Sequence, residues 1–231
     1  MKYDVVIRCR NEMEWLPKVL SSLNTQSIKP SNIILVDNDS TDGSLEYAKK
    51  ENCTIVKYDK AEFNYSYSLN LGIRKTTSES ILILSAHCEV ATPKSVQRMI
   101  EVRFEYDAAG VYGRQIPTAN SNPVDTRDLI TVFGRERIVY KTYPFFHNAF
   151  SLIDRNAWAD CNFNEKQNGV EDRFWAREQA LKGRKIVYEP EAIAFHEHGL
   201  NQGISMERAI RVCESLKVLH EDDLFNWPTF K

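Results

Sequence analysis

The sequence predicts an α/β fold: a single domain on a mostly parallel sheet with helices on both faces, followed by a C-terminal helix. Two observations predict it. Apolar runs of strand length alternate with segments of helical periodicity over residues 4–106, and such alternation builds parallel sheets covered on both faces. Polar clusters follow three of the runs, "RCRNE" (8–12), "DNDSTD" (37–42) and "SAHCE" (85–89). In open parallel sheets, ligands gather beyond the carboxyl ends of the strands.

The elements follow in order. "DVVIRC" (4–9) reads as a buried strand, and "EWLPKVLSSLNTQ" (14–26) sets Trp15, Leu16, Val19, Leu20 and Leu23 at helical spacing. "NIILV" (32–36) and "CTIVKY" (53–58) read as strands around a short helix, "GSLEYAKKEN" (43–52). "NYSYSLNLGIRKT" (64–76) reads as helical, "SILIL" (80–84) as the fourth strand, and "PKSVQRMIEVRFEY" (93–106) as a helix with Pro93 in its first turn. "VYGRQIPTANSNPVDTRD" (111–128), with two prolines and many turn formers, reads as a long loop. Beyond it come a strand running into a short helix (145–158), a helix closed by Gly183 (170–183), one or two strands broken at Pro190 (184–199), and a terminal helix (206–225).

Composition narrows the class. The 231 residues are 42% hydrophobic and 27% charged, enough for a sizeable core. A net charge of −2 with no basic run argues against nucleic acid as a partner. The opening "MKYDVVIRCRNE" is too short for a signal peptide, and no apolar run approaches a bilayer span. The expectation is a cytoplasmic chain without a transmembrane segment, compatible with peripheral contact at the inner face of a membrane. Five scattered cysteines without CxxC spacing read as free thiols. Nothing in the sequence sets an oligomeric state.

Several polar groups carry candidate chemistry. Asp37, Asp39 and Asp42 crowd one turn after a buried strand. A helix cap needs one carboxylate, so three also suit the imide of a base or the hydroxyls of a ribose. Arg8 and Arg10 can neutralise a diphosphate, while Asn11 and Glu12 can fix the turn or a ribose. Glu171 and Asp172 adjoin at a helix N-terminus, where they complement the macrodipole or supply a general base. His196 and His198 alternate on an extended segment, a spacing that suits one metal or a polar edge. His147 carries no assignment.

Taken together, these motifs resemble family 2 glycosyltransferases of the GT-A fold, the Rossmann-like nucleotide-diphospho-sugar transferases. "RCRNE" resembles the family's first strand end, "VDNDSTDG" its "VDDGSTD" turn, "SLNLG" its A-x-N-x-G helix, and "VEDRFW" its ED pair, over roughly residues 3–200. The family's DxD metal motif is here Ser85-Ala86-His87. That is similar to the DxH variant of polypeptide N-acetylgalactosaminyltransferases, where a second histidine follows a later proline; the matching spacing from Pro190 falls on His196.

The resemblance implies transfer of a sugar from a nucleoside diphosphate sugar to a hydroxyl of a glycan or lipid-linked acceptor in bacterial polysaccharide synthesis. Arg8, Asn11, Glu12, Asp37, Asp39, Ser85 and His87 would hold the donor. His87 and His196 would ligate a divalent metal, manganese rather than magnesium, since imidazole suits softer ions. Asp172, with Glu171 as the close alternative, would be the base. Family 2 implies inversion, whereas the DxH variant belongs to a retaining family. Residues 1–110 would form the nucleotide-sugar half, 111–200 the acceptor half and 201–231 a helical tail. The alternatives are a non-catalytic sugar-binding paralogue, suggested by the altered DxD, and a sugar nucleotidyltransferase, which would carry a glycine-rich loop after the first strand.

Overall fold

The computed structural model describes residues 1–167, 169–197 and 206–220. Four strands form a parallel half-sheet in the order β3-β2-β1-β4: β1 (Tyr3–Cys9), β2 (Asn32–Asp37), β3 (Thr54–Lys57) and β4 (Ser80–Ser85). The crossovers are α1 (Leu16–Asn24), α2 (Ser44–Lys50) and α3 (Tyr65–Ile73). Alternation along β1 explains the two layers. Val5 and Ile7 pack into the core that includes Leu16, Leu20 and Ile100, while Val6 joins Leu69 and Ile73 on the other face.

The sheet continues through β8 (Phe150–Asp154), β6 (Ala108–Ile116), β9 (Lys185–His196) and β5 (Cys88–Val90), with β7 (Ile138–Tyr140) also on β9. β6 and β9 run parallel to each other, while β8, β5 and β7 are antiparallel to their neighbours. The sheet is therefore mostly parallel. Helices α4 (Ser95–Tyr106), α5 (Pro123–Val132), α6 (Arg155–Asp160) and α7 (Glu171–Leu181) complete the layers. The last described element, α8 (Met206–Leu219), reaches α7, where Arg177 donates to the Leu219 carbonyl. Among the described residues no helix is long and apolar enough to cross a membrane. The five cysteines are free, and burial pushes the Cys9 thiol up to about 12 and that of Cys53 up to about 11.

Three expectations need correction. The stretch 111–128 is not a loop: it holds most of β6 and the first half of α5. Pro123 occupies the first turn of α5, and the Asn122 side chain caps it by accepting from the N–H groups of Val124 and Asp125. Pro190 does not break β9. The register against β6 jumps from Gly113↔Glu189 to Arg114↔Ile193, so Pro190 lies in a bulge, where its missing N–H breaks no ladder bond. Helix α4 begins at Ser95, leaving Pro93 just outside it.

Candidate active site

Side-chain contacts link the segments that follow β1, β2 and β4 to one another and to the N-terminus of α7. At β1, Asn11 adopts a left-handed φ of 55° and its Oδ1 accepts from the Thr41 N–H at 2.8 Å, tying the first loop to the second. Asn11 thus fixes the turn. Glu12 turns towards β4, its Oε1 3.1 Å from His87 Nδ1. Arg8 lies over the Tyr65 ring at 4.9 Å and pairs with Glu171 at 3.5 Å. It therefore joins β1 to α7.

The three aspartates after β2 have separate fates. Asp42 is a clamp: it accepts from the Met13 and Ser44 N–H groups at 2.9 and 3.0 Å, and these bonds hold its pKa below the usual carboxylate value despite some desolvation. Asp39 accepts from the Lys60 N–H at 2.9 Å. Asp37 is 1% exposed; its Oδ2 meets the Ser40 N–H at 3.4 Å, and its Oδ1 has no hydrogen-bond partner among the described residues. A buried acceptor in that state marks a place for a ligand group.

At β4, the Ser85 N–H is held by the Ala149 carbonyl at 3.0 Å, and His87 follows one residue later than the tight Ala86. Pairing of Cys88 with His196 between β5 and β9 brings the two histidines together, their rings stacked with centroids 5.4 Å apart. Imidazole lone pairs lie in the ring planes, so stacked rings do not converge on one point. Among the described residues no group of three or more His, Cys, Asp or Glu side chains is placed to hold a metal ion. The donor set present is two adjacent imidazoles beside Glu12. That fits a cation only if it arrives with oxygens of its own, such as those of a diphosphate. His198 lies outside the described residues.

Helix α7 supplies the acids. Val170, a β-branched residue, precedes it at φ 49°, local strain of the kind that collects at functional sites. Glu171 is buried and Asp172 half-buried. Burial pushes both carboxyls above their ordinary values; the charge of Asp172 adds to the rise at Glu171, and Arg8 opposes it. The N–H groups of Asn148 and Arg173, at 3.1 and 2.8 Å from Asp172, favour its charged form. Here desolvation outweighs the helix N-terminus, whose effect is to lower a carboxylate pKa.

Sequence reasoning left four residues at this site without a role. Gln115 of β6 lies 3.0 Å from His147, and His147 stands edge-on to His196 at 5.9 Å. Arg173 stacks on Phe145 at 4.5 Å, next to Asp172. Glu197, 3% exposed, accepts from Thr118 and Ser121. Only the unassigned His147 had carried a local signal.

The profile of the family described as "Glycosyl transferase family 2" matches residues 4–161, more than half of the chain. The chain belongs to glycosyltransferase family 2. The O-antigen chain rhamnosyltransferase RfbN of Salmonella typhimurium is 26% identical over 211 residues, covering 86% of this chain and 67% of the relative. WbaN of Salmonella anatum, also an O-antigen chain rhamnosyltransferase, is 25% identical over 185 residues, covering 75% of this chain and 58% of its own length. The family 2 chain thus spans about two thirds or less of these relatives. A solved mannosyltransferase from Pyrobaculum calidifontis, in complex with GDP-Man and Mn2+, shares the GT-A fold at a TM-score of 0.71 and 17% identity, over 98% of this chain and 66% of that one.

Proposed function

We propose that this family 2 chain transfers a sugar from a nucleoside diphosphate sugar to a hydroxyl of a glycan or lipid-linked acceptor in bacterial polysaccharide synthesis. The observation that carries the proposal is a buried Asp37 oxygen without a hydrogen-bond partner among the described residues, on the strand beside β1, whose Arg8 pairs with Glu171 of the Glu171–Asp172 pair. Asp37, with Asp39, Arg8, Asn11 and Glu12 around it, holds the nucleoside and its diphosphate. Residues 1–110 form the donor half and 111–200 the acceptor half, and the tail that follows contains α8. The relatives' role in O-antigen chains favours work on the cytoplasmic side, with peripheral contact at the membrane that carries the acceptor.

Asp172 accepts the proton of the attacking hydroxyl, with Glu171 as its alternate, and the attack is in line with inversion. A carboxyl pushed upward by burial is the stronger base once ionised. His87 and His196, with Ser85 at the strand end, face the departing diphosphate. They are the residues that would hold a divalent metal together with diphosphate oxygens, both at once only with one ring turned out of the stack, and manganese suits imidazole better than magnesium. Such a cation would neutralise charge developing on the leaving group.

The test is calorimetric titration with dTDP-rhamnose, GDP-mannose and UDP-GlcNAc, with and without manganese, followed by mass spectrometry of products on a glycan acceptor. Rhamnose heads the panel because of the Salmonella relatives. Binding of one donor, tightened by manganese in wild type but not in His87→Ala, and a product one sugar heavier are expected. Donor binding without transfer to any acceptor would favour a non-catalytic paralogue. Pyrophosphate release from a nucleoside triphosphate would favour a nucleotidyltransferase.

A further inference from the structure

Gln115 has a side chain that the donor and base assignments do not use. It sits on β6 and is 1% exposed. Its Nε2 lies 3.0 Å from His147 Nδ1, and the Ala149 N–H points to the same ring nitrogen at 3.4 Å. A backbone N–H can only donate, so Nδ1 is an acceptor and the Gln115 amide nitrogen donates to it. That fixes the amide's orientation, which the side chain alone leaves ambiguous. Its Oε1 is then the other end of the amide, buried and without a hydrogen-bond partner among the described residues. Buried carbonyl oxygens are rarely left so in folded proteins, and the exceptions mark places for ordered water or a ligand.

The place matters as much as the atom. His147 stands edge-on to His196 at 5.9 Å, and His196 stacks on His87 at 5.4 Å, so one side of the pair faces the diphosphate end. On the other side, the residue after His147 donates its N–H to Asp172 at 3.1 Å. The transferred sugar must lie between these two ends, because its anomeric carbon is bonded to the diphosphate and attacked from the base. A sugar brings hydroxyl donors to that point, and an amide oxygen is an acceptor for one. We propose that Gln115 Oε1 accepts a hydrogen bond from a hydroxyl of the transferred sugar, with His147 as the positioning residue that aims it. The assignment rests on the transferase reading above and adds to it the residue that selects the sugar. Sites built to hydrogen-bond a hydroxyl reject analogues that lack it far better than apolar pockets reject additions.

The experiment compares Gln115→Leu and Gln115→Glu with wild type in the full chain, in the presence of manganese. Each is titrated with UDP, GDP and dTDP alone and with UDP-GlcNAc, GDP-mannose and dTDP-rhamnose. For the donor that wild type binds, Gln115→Leu is expected to weaken Kd and raise KM roughly tenfold, with the matching nucleoside diphosphate changed by less than about twofold. Gln115→Glu keeps an accepting oxygen but has no N–H to donate to His147, so a loss smaller than that of Gln115→Leu is expected. Monodeoxy versions of that donor should lose affinity for wild type at one ring position and lose none there for Gln115→Leu. Should the leucine variant not fold, Gln115→Met, of similar length and without oxygen, carries the same expectation. Unchanged donor binding by the leucine variant, or equal loss of donor and bare nucleoside diphosphate, overturns the Gln115 assignment alone. A wild type that binds no nucleoside diphosphate at all overturns the transferase reading, and this assignment with it.

Discussion

Glu171 and Asp172 are the carboxyls assigned to the proposed base, and their environment makes opposite demands on stability and activity. Burial raises both pKa values, so a base at this position ionises at higher pH than an exposed carboxylate. The acid limb of kcat/KM is therefore expected above the ordinary carboxylate value of about 4, which a pH–rate profile checks. Asp172→Asn removes the assigned base and should lower transfer by roughly 10²–10⁴-fold while donor affinity changes little; transfer near the wild-type rate would move the role to Glu171. For stability the sign reverses. Between the ordinary and the raised pKa the folded chain binds more protons than the unfolded one, so stability falls as pH rises through that window and is flat above it. Glu171→Gln removes the buried charge and should raise the thermal midpoint at pH 8 more than at pH 4, as differential scanning calorimetry would show. At the same scale, the sequence had grouped Asp37, Asp39 and Asp42, and only their backbone partners separate ligand-facing acid from clamp. Those partners are up to 29 residues away, as Met13 is from Asp42, which is why spacing within "VDNDSTDG" could not sort them.

Elements were legible where local pattern and tertiary role agree. The parallel strands and crossovers of the first 106 residues follow the apolar runs because β1, β2 and β4 are buried on both faces, the edge strand β3 is partly so, and each helix is buried on one. The second half was less legible because its strands are set by distant pairing. β6 reads as turn-rich sequence, yet β8 and β9 hold it from either side, and Gly113 is where the Ala192 carbonyl of the β9 bulge comes so close that an added Cβ would sit 2.7 Å from it. That bulge lets β9 continue past Pro190 and place His196 beside His87, a juxtaposition the sequence carried only through spacing borrowed from a family. The A-x-N-x-G-like helix shows what such a motif does physically. Asn70 accepts from Trp158 Nε1 and donates to the Phe163 carbonyl and to Glu165, anchoring the segment that leads to α7. Gly72 lets α3 lie directly on the sheet, where a Cβ would be 2.5 Å from Val6 and 2.7 Å from Val36. Gly72→Ala gains helix propensity but overpacks two central strands, and a net loss of about 1–3 kcal/mol is expected in urea unfolding.

Across the whole molecule, an ion pair joins the proposed donor and base ends of the site. Arg8 ends β1, Glu171 begins α7, and 163 positions of sequence separate them, yet they meet at 3.5 Å with side chains 24% and 7% exposed. Partial exposure of Arg8 screens the pair, so its net worth is modest; removing one partner is a different matter, because it leaves the buried carboxylate uncompensated. Arg8→Leu should therefore lower stability at pH 8 by about 1–3 kcal/mol, less than for a fully buried pair. The loss should shrink at pH 4, where Glu171 is protonated and has no charge to compensate. The double variant Arg8→Leu/Glu171→Gln should recover most of that stability, because neither charge then remains, while transfer stays impaired since the proposed donor and base ends have each lost a group. A double-mutant cycle run at both pH values isolates the coupling from the loss of Arg8 packing on Tyr65, which is common to both arms. Coupling that is equal at the two pH values would mean that packing, not the buried charge, joins β1 to α7.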